Sequence, residues 1–164
     1  MKDRIQKVIE QVRNQILLKG GIRPQEKSFF LATKHTYDKK APSHVHDFKL
    51  VFDGRTLDAY LDMDTNTLLI GIRGTKPTDI KDIKADASLL PNRLRSSKRY
   101  QENYKDMEQI IALYPPEQYE YYLSGHSLGG GITNQMMRDF PFIQGTVDYN
   151  SAFQTFDLKK QNSK

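Results

Sequence analysis

The sequence contains no cysteine, and that single absence removes disulfide frameworks, thiolate zinc sites and cysteine nucleophiles together. No apolar run approaches the roughly 18 residues of a membrane-spanning helix. The opening stretch MKDRIQKVIEQVRNQ is charged throughout and lacks the apolar centre of a signal peptide. These features read as a soluble, cytoplasmic chain. Neither charge sign dominates: 25 Lys and Arg stand against 20 Asp and Glu, for a net +5 and a pI near 9.3. Such an excess favours an anionic partner, whether nucleic acid, a membrane surface or an acidic ligand. No zinc-finger spacing or aromatic ribonucleoprotein string accompanies it, so nucleic acid is not expected. Solvated surface charge is the plainer reading of Lys39-Lys40, of Arg93, Arg95, Lys98 and Arg99, and of the tail Lys159, Lys160 and Lys164.

What is present is a chain of 164 residues with 37% apolar side chains and a mean hydropathy of −0.69. The length suits one domain. The apolar residues fall in blocks, which argues against disorder throughout. Ile5, Val8, Ile9, Val12, Ile16 and Leu17 recur at helical spacing until Gly20-Gly21 stops the pattern, and the stripe suits core packing. Phe29 to Tyr37 form a second, shorter helical stretch, followed by a polar loop through Ala41, Pro42 and Ser43. The period then changes. Phe48 to Phe52 reads as a strand and Asp53-Gly54 as a hairpin turn. Beyond the turn Leu57, Ala59 and Leu61 alternate with Asp58, Tyr60 and Asp62. Thr67 to Arg73 is apolar at nearly every position, the pattern of a strand buried on both faces. Asp79 and Asp82 open a short helix carrying Ile80 and Ile83. A longer helix runs from Tyr100 to Tyr114 and stops at Pro115-Pro116. Tyr119 to Leu123 reads as a strand, Ile132 to Phe140 as a helix, and Gly145 to Phe153 as one more buried strand. This order predicts an α/β sheet, largely parallel after an antiparallel hairpin start.

The most informative stretch is Gly125-His126-Ser127-Leu128-Gly129. A G-x-S-x-G string alone is a weak signal. Here a β-rich run precedes it and a helix-compatible run follows, which is the setting of a nucleophile elbow. The glycines let strand and helix approach closely, and Ser127 Oγ is expected to project at the carboxyl end of its strand. The new helix aims free N–H groups at a developing oxyanion. A Gly-rich phosphate cradle is the competing reading, but the G-x-x-x-x-G-K-[ST] pattern is absent.

The string GHSLGG, together with Gly71-Ile72-Arg73-Gly74-Thr75 and then Asp79-Ile80-Lys81-Asp82-Ile83, resembles the class 3 (fungal-type) lipase family of α/β hydrolases. Tyr149-Asn150-Ser151 also resembles the family's strand end after the nucleophile helix. The likeness covers roughly Phe29 to Phe153. It implies a partial, three-layer α/β-hydrolase-like fold, mainly parallel with an antiparallel N-terminal hairpin, in a single domain over 1–164. Within that domain, 1–24 carry the first helix, 25–153 the hydrolase-like core and 154–164 a tail. It also implies acyl-ester hydrolysis of a lipid or small ester without metal or organic cofactor. Ser127 takes the nucleophile's place, and Thr75 and the Leu128 N–H form the oxyanion hole. His126, adjacent on a sharp turn, is poorly placed to be the base. The segment after R-G-T commonly serves the family as a lid. Leu89-Leu90-Pro91 followed by Arg93, Arg95, Lys98 and Arg99 is an apolar-then-basic surface suited to an anionic membrane.

Two departures stand out. Ile80 replaces the family's usual Trp, a packing change. More seriously, the fold places acid and histidine after the nucleophile, whereas His35, His44, His46 and His126 all precede or adjoin Ser127. Asp148 and Asp157 lie earlier than the family's acid, and the sequence stops about two strands short of a full hydrolase sheet. Three expectations follow from this: a fragment of a longer hydrolase, a non-catalytic lipid- or protein-binding relative, or a base supplied by an upstream histidine or a second chain. His44-Val45-His46 places two rings on one side of an extended segment, a spacing that suits a metal, but no third ligand is near and an ordinary loop is expected. The Gly145–Phe153 strand is expected at an exposed sheet edge, with Val147 and Phe153 open to self-association.

Overall fold

A computed structural model describes Arg4, Ile5, Lys7 and Val8, residues 23–74 and residues 94–149. Its elements are α1 (Glu26–His35), β1 (His44–Val45), β2 (Phe48–Asp53), β3 (Leu57–Asp62), β4 (Thr67–Ile72), α2 (Lys98–Leu113), β5 (Glu120–His126), α3 (Leu128–Asp139) and β6 (Ile143–Tyr149). The six strands form one sheet whose spatial order repeats the chain order. The first three pairings are antiparallel, and β4–β5 and β5–β6 are parallel. Among the described residues β6 pairs with β5 alone.

Period-two alternation splits the strands between two cores. Leu57, Ala59 and Leu61 of β3, Leu68, Ile70 and Ile72 of β4, and Tyr121 and Leu123 of β5 face α2 and α3, where Tyr100, Met107, Ile110, Ile132 and Met136 meet them. The opposite face gives Tyr60, Leu69 and Tyr122 to Phe29 and Ala32 of α1. The arrangement is three layers, with helix on both faces of a mixed sheet.

Helix limits follow from local chemistry. At the start of α2, Ser97 Oγ accepts the Tyr100 N–H at 3.2 Å and donates to the Leu94 carbonyl at 2.7 Å, which satisfies one of the helix's orphan donors. Pro115 follows its last turn. Tyr100, buried in the core, donates its hydroxyl to the Asp139 carboxylate at the end of α3. The same carboxylate meets Arg95 at 2.8 Å.

Four differences from the sequence reading have physical causes. β3 is buried on both faces instead of one, because Phe29 and Ala32 of α1 pack with Tyr60 and the segment after α1, Thr36 to Ala41, lies over Asp58. His44 and Val45, read as loop, pair with Lys49 and Phe48. The extended His-x-His geometry does not form, because His46 turns into the hairpin with φ 51. The last helix begins at Leu128 rather than Ile132, since the three glycines that weaken its propensity lie against the sheet. In the first segment Ile5 and Val8 are exposed, at 60% and 58%, and do not join the core. The short helix expected at 79–83 lies outside the described residues.

Candidate active site

β4 and β5 end side by side, with Ile72 paired to Gly125. Past Gly125 the chain makes one more strand residue, His126, and turns at Ser127 straight into α3. The turn is sharp: Ser127 adopts φ 57 and ψ −119, a conformation that costs a residue with a side chain on the order of 1–3 kcal/mol. Two glycines make the turn sterically feasible. A Cβ on Gly125 would overlap the backbone of Gly129, and one on Gly129 would overlap the Ile72 carbonyl oxygen. The start of α3 is therefore pressed onto the ends of both strands.

Backbone bonds fix Ser127 on either side. Its N–H donates to the Tyr149 carbonyl at 3.0 Å, and its carbonyl accepts the Gly131 N–H at 3.2 Å. That second bond is the first of the helix, so the Leu128 N–H precedes the intrahelical ladder and points out of the helix start. The positive end of the α3 dipole lies at the same place. Ser127 is 4% exposed. Among the described residues no hydrogen bond reaches its Oγ.

Each histidine has another occupation. His35 Nδ1 meets Asp38 at 2.7 Å, His44 Nδ1 meets Ser43 at 3.1 Å, and His46 Nδ1 meets Ser28 Oγ at 2.7 Å. His126 Nδ1 is 2.9 Å from Tyr37 Oη, and burial holds its pKa below the usual histidine value. That bond occupies one ring nitrogen of His126. Asp148, on β6, accepts from Asn134 Nδ2 of α3 at 2.9 Å and so braces α3 against its neighbouring strand. Thr75 lies outside the described residues, as do Asp79, Asp82, Asn150, Ser151 and Asp157.

Solved structures with this arrangement exist. The Lip2 lipase of Yarrowia lipolytica superposes with a TM-score of 0.51 at 19% identity, over 74% of this chain and 55% of that one. Its nonglycosylated form gives 0.50 at 18%, over 71% and 53%. The triacylglyceride lipase of Rhizomucor miehei gives 0.47 at 17%, over 74% and 58%. The fold is that of a partial α/β hydrolase. The chain spans about 55% of the length of the Lip2 lipase. No family profile matches the sequence, and no curated protein does.

Around the hydrolase-like strand ends, the sequence reading overlooked a brace built from scattered residues. Arg99 donates through Nη2 to the Arg73 carbonyl and through Nε to Asn103 Oδ1 at 3.1 Å. Asn103, fully buried, donates in turn to Thr56 Oγ1 at 2.8 Å. Burial, with Arg73 beside it, lowers the Arg99 pKa to about 10. Of the basic cluster read as a lipid-facing surface, Arg99 is turned inward and holds backbone, while Arg95 pairs with Asp139 and stays exposed. A guanidinium carries five donors on a rigid fork and suits such bracing better than lysine. The signal in the sequence was that choice of Arg at both positions. Among the described residues, no cluster of His, Cys, Asp or Glu fits a metal ion and no helix is long and apolar enough to cross a membrane.

Proposed function

We propose that the chain is a serine ester hydrolase of lipase type, acting on lipid or small acyl esters. The observation that carries this reading is Ser127, held at φ 57 between a parallel strand and the helix it starts. In the mechanism Ser127 Oγ attacks the ester carbonyl, its proton passes to a base, and the carbonyl oxygen becomes an oxyanion. The Leu128 N–H and Thr75 receive that oxyanion, and the α3 dipole adds to the stabilisation. The alcohol departs with a proton from the base, and water then releases the acid. No metal or organic cofactor takes part. The base is not one of the four histidines as they are paired; it comes from the rest of a longer hydrolase of which this chain is a fragment, from an upstream histidine that rearranges, or from a second chain.

A fluorophosphonate probe and a p-nitrophenyl ester test the proposal. Without a base, oxyanion hole and binding leave about 10³–10⁴-fold acceleration over water. The 164-residue chain is therefore expected to label slowly at Ser127 and to turn over ester barely above background, with Ser127→Ala abolishing both. Labelling that is absent, or unchanged in Ser127→Ala, overturns the reading. A second reading, a non-catalytic ester- or lipid-binding relative, is favoured by the lack of any histidine partner at Ser127 Oγ. Tight binding of a short-chain ester analogue by unlabelled protein is its signature.

A further inference from the structure

The parallel ladder between β4 and β5 ends at Ile72 and Gly125. Ser127 lies two residues past that end on one strand, and Gly74 two residues past it on the other. Whatever fixes the distance between these two positions must act beyond the ladder. Tyr37 stands there. It follows α1, which is itself tied to the sheet: Ser124 Oγ donates to the Phe29 carbonyl at 3.1 Å, and the Phe29 ring packs edge-on against Tyr122 at 6.1 Å. Thr36 Oγ1 closes the helix end by donating to the Thr33 carbonyl at 2.6 Å. The phenol therefore projects from a rigid base.

Its hydroxyl joins the two strand ends. Gly74 lies against Tyr37 Oη, and the same hydroxyl is hydrogen-bonded to His126 Nδ1 at 2.9 Å. The rings of Tyr37 and His126 meet edge-on at 6.0 Å. The Arg73 guanidinium covers the Tyr37 ring at 5.8 Å, while Arg99 holds the Arg73 carbonyl from the far side. Gly74 is seated so closely that a Cβ there would overlap both the His126 carbonyl oxygen and Tyr37 Oη. Burial raises the Tyr37 pKa, so the group stays a phenol and keeps the proton it shares with His126.

We propose that Tyr37 is a positioning residue: its hydroxyl, seated against Gly74 and bonded to His126 Nδ1, locks the end of β4 to the turn bearing Ser127 and so fixes that turn in place. The proposal rests on the hydrolase reading above. His126 is the acceptor in this lock, which accounts for a histidine that neither acts as base nor reaches Ser127. Tyr37 acts through the strand end and the turn that it joins.

Tyr37→Phe keeps the ring and removes the link. Fluorophosphonate inactivation resolved into its maximal rate and its half-saturation concentration is the first readout, and hydrogen exchange at the Gly74 amide is the second. The expected result is a maximal rate lower by about 10- to 100-fold, since a displacement near 1 Å costs that much. Half-saturation should stay within about twofold, and Gly74 exchange should quicken. His126→Leu should reproduce the defect, and His126→Asn, which keeps an acceptor, should restore most of the rate. An unchanged maximal rate in Tyr37→Phe overturns the proposal, with or without faster exchange. A defect that appears equally in rate and half-saturation, or in His126→Asn as fully as in His126→Leu, also overturns it. Wild-type protein that takes no label sinks the hydrolase reading instead, and Gly74 exchange in Tyr37→Phe then decides the lock alone.

Discussion

Asp58 is 4% exposed and stands directly across the β2–β3 hairpin from Asp53. Burial, a hydrogen bond from its side chain to Asp53, and the charges of Asp53 and Asp38 raise its pKa from 3.8 to about 8. At neutral pH it is therefore a protonated acid donating to a carboxylate. Lys39, Arg55 and Arg73 line the same cavity of about 210 Å³, with Asp38 and Asp53, and even these cations do not bring it down. The sign of the linkage follows. Below pH 3.8 the folded and unfolded chains are both protonated at this site and it contributes nothing. As pH rises from there to about 8, the unfolded chain gives up its proton and the folded chain does not, so stability is lost. Each pH unit in that window removes about 1.4 kcal/mol. About 4 kcal/mol is gone at pH 7 and about 6 at pH 9. Asp58→Asn keeps a donor for Asp53 and has nothing to titrate. Urea unfolding from pH 4 to 9 should give the two proteins stabilities within about 1 kcal/mol at pH 4. By pH 8 the variant should lead by about 3–5 kcal/mol. A gap that is constant across the range refutes the reasoning. So does a wild type that gains on the variant as pH rises, which would mean an ionised Asp58 paired with the neighbouring cations.

Two further substitutions probe the turn at Ser127. Gly129→Ala improves helix propensity by about 1 kcal/mol but drives a methyl into the Ile72 carbonyl; overpacking wins, and urea titration should show a net loss of about 1–3 kcal/mol. A variant as stable as wild type would mean that α3 is not pressed onto the strand ends. Ser127→Gly relieves the φ 57 backbone and should raise stability by about 1 kcal/mol while eliminating fluorophosphonate labelling. A less stable glycine variant would show that the serine conformation carries no strain.

Much of the sheet could be read from periodicity and punctuation. The all-apolar run of β4 announced burial on both faces, Asp53-Gly54 announced the hairpin, and Pro115 closed α2. The Gly-x-Ser-x-Gly string between a strand and a helix placed Ser127 at the turn it occupies. β3 misled because alternation records only which side chains share a face, and α1 with the segment after it, folded over the polar face, buries Tyr60 and Asp58 as well. The two-residue β1 was too short for any period to show. The Tyr37, Gly74 and His126 contact was invisible for another reason: it joins residues 89 positions apart, and no local spacing encodes a meeting set by how α1 crosses the sheet. Arg99 looked like surface charge because composition cannot tell a solvated guanidinium from one that holds a carbonyl.

The coincidence of spatial and chain order in the sheet bears on how the molecule assembles. Each strand pairs with the strand before it in the chain, so the sheet can grow in the direction of translation, edge outward, one strand at a time. The first four strands close through tight local turns that cost little loop entropy. Both parallel steps must wait for intervening chain, the shorter through α3 before β6 and the longer, Arg73 to Tyr119 with α2, before β5. The longer crossover, and not the hairpins, is where nascent chains should pause. The waiting edge at that moment is β4, apolar at nearly every residue and buried throughout when complete, which makes the interval before β5 docks the one in which an unfinished chain is most exposed to wrong partners.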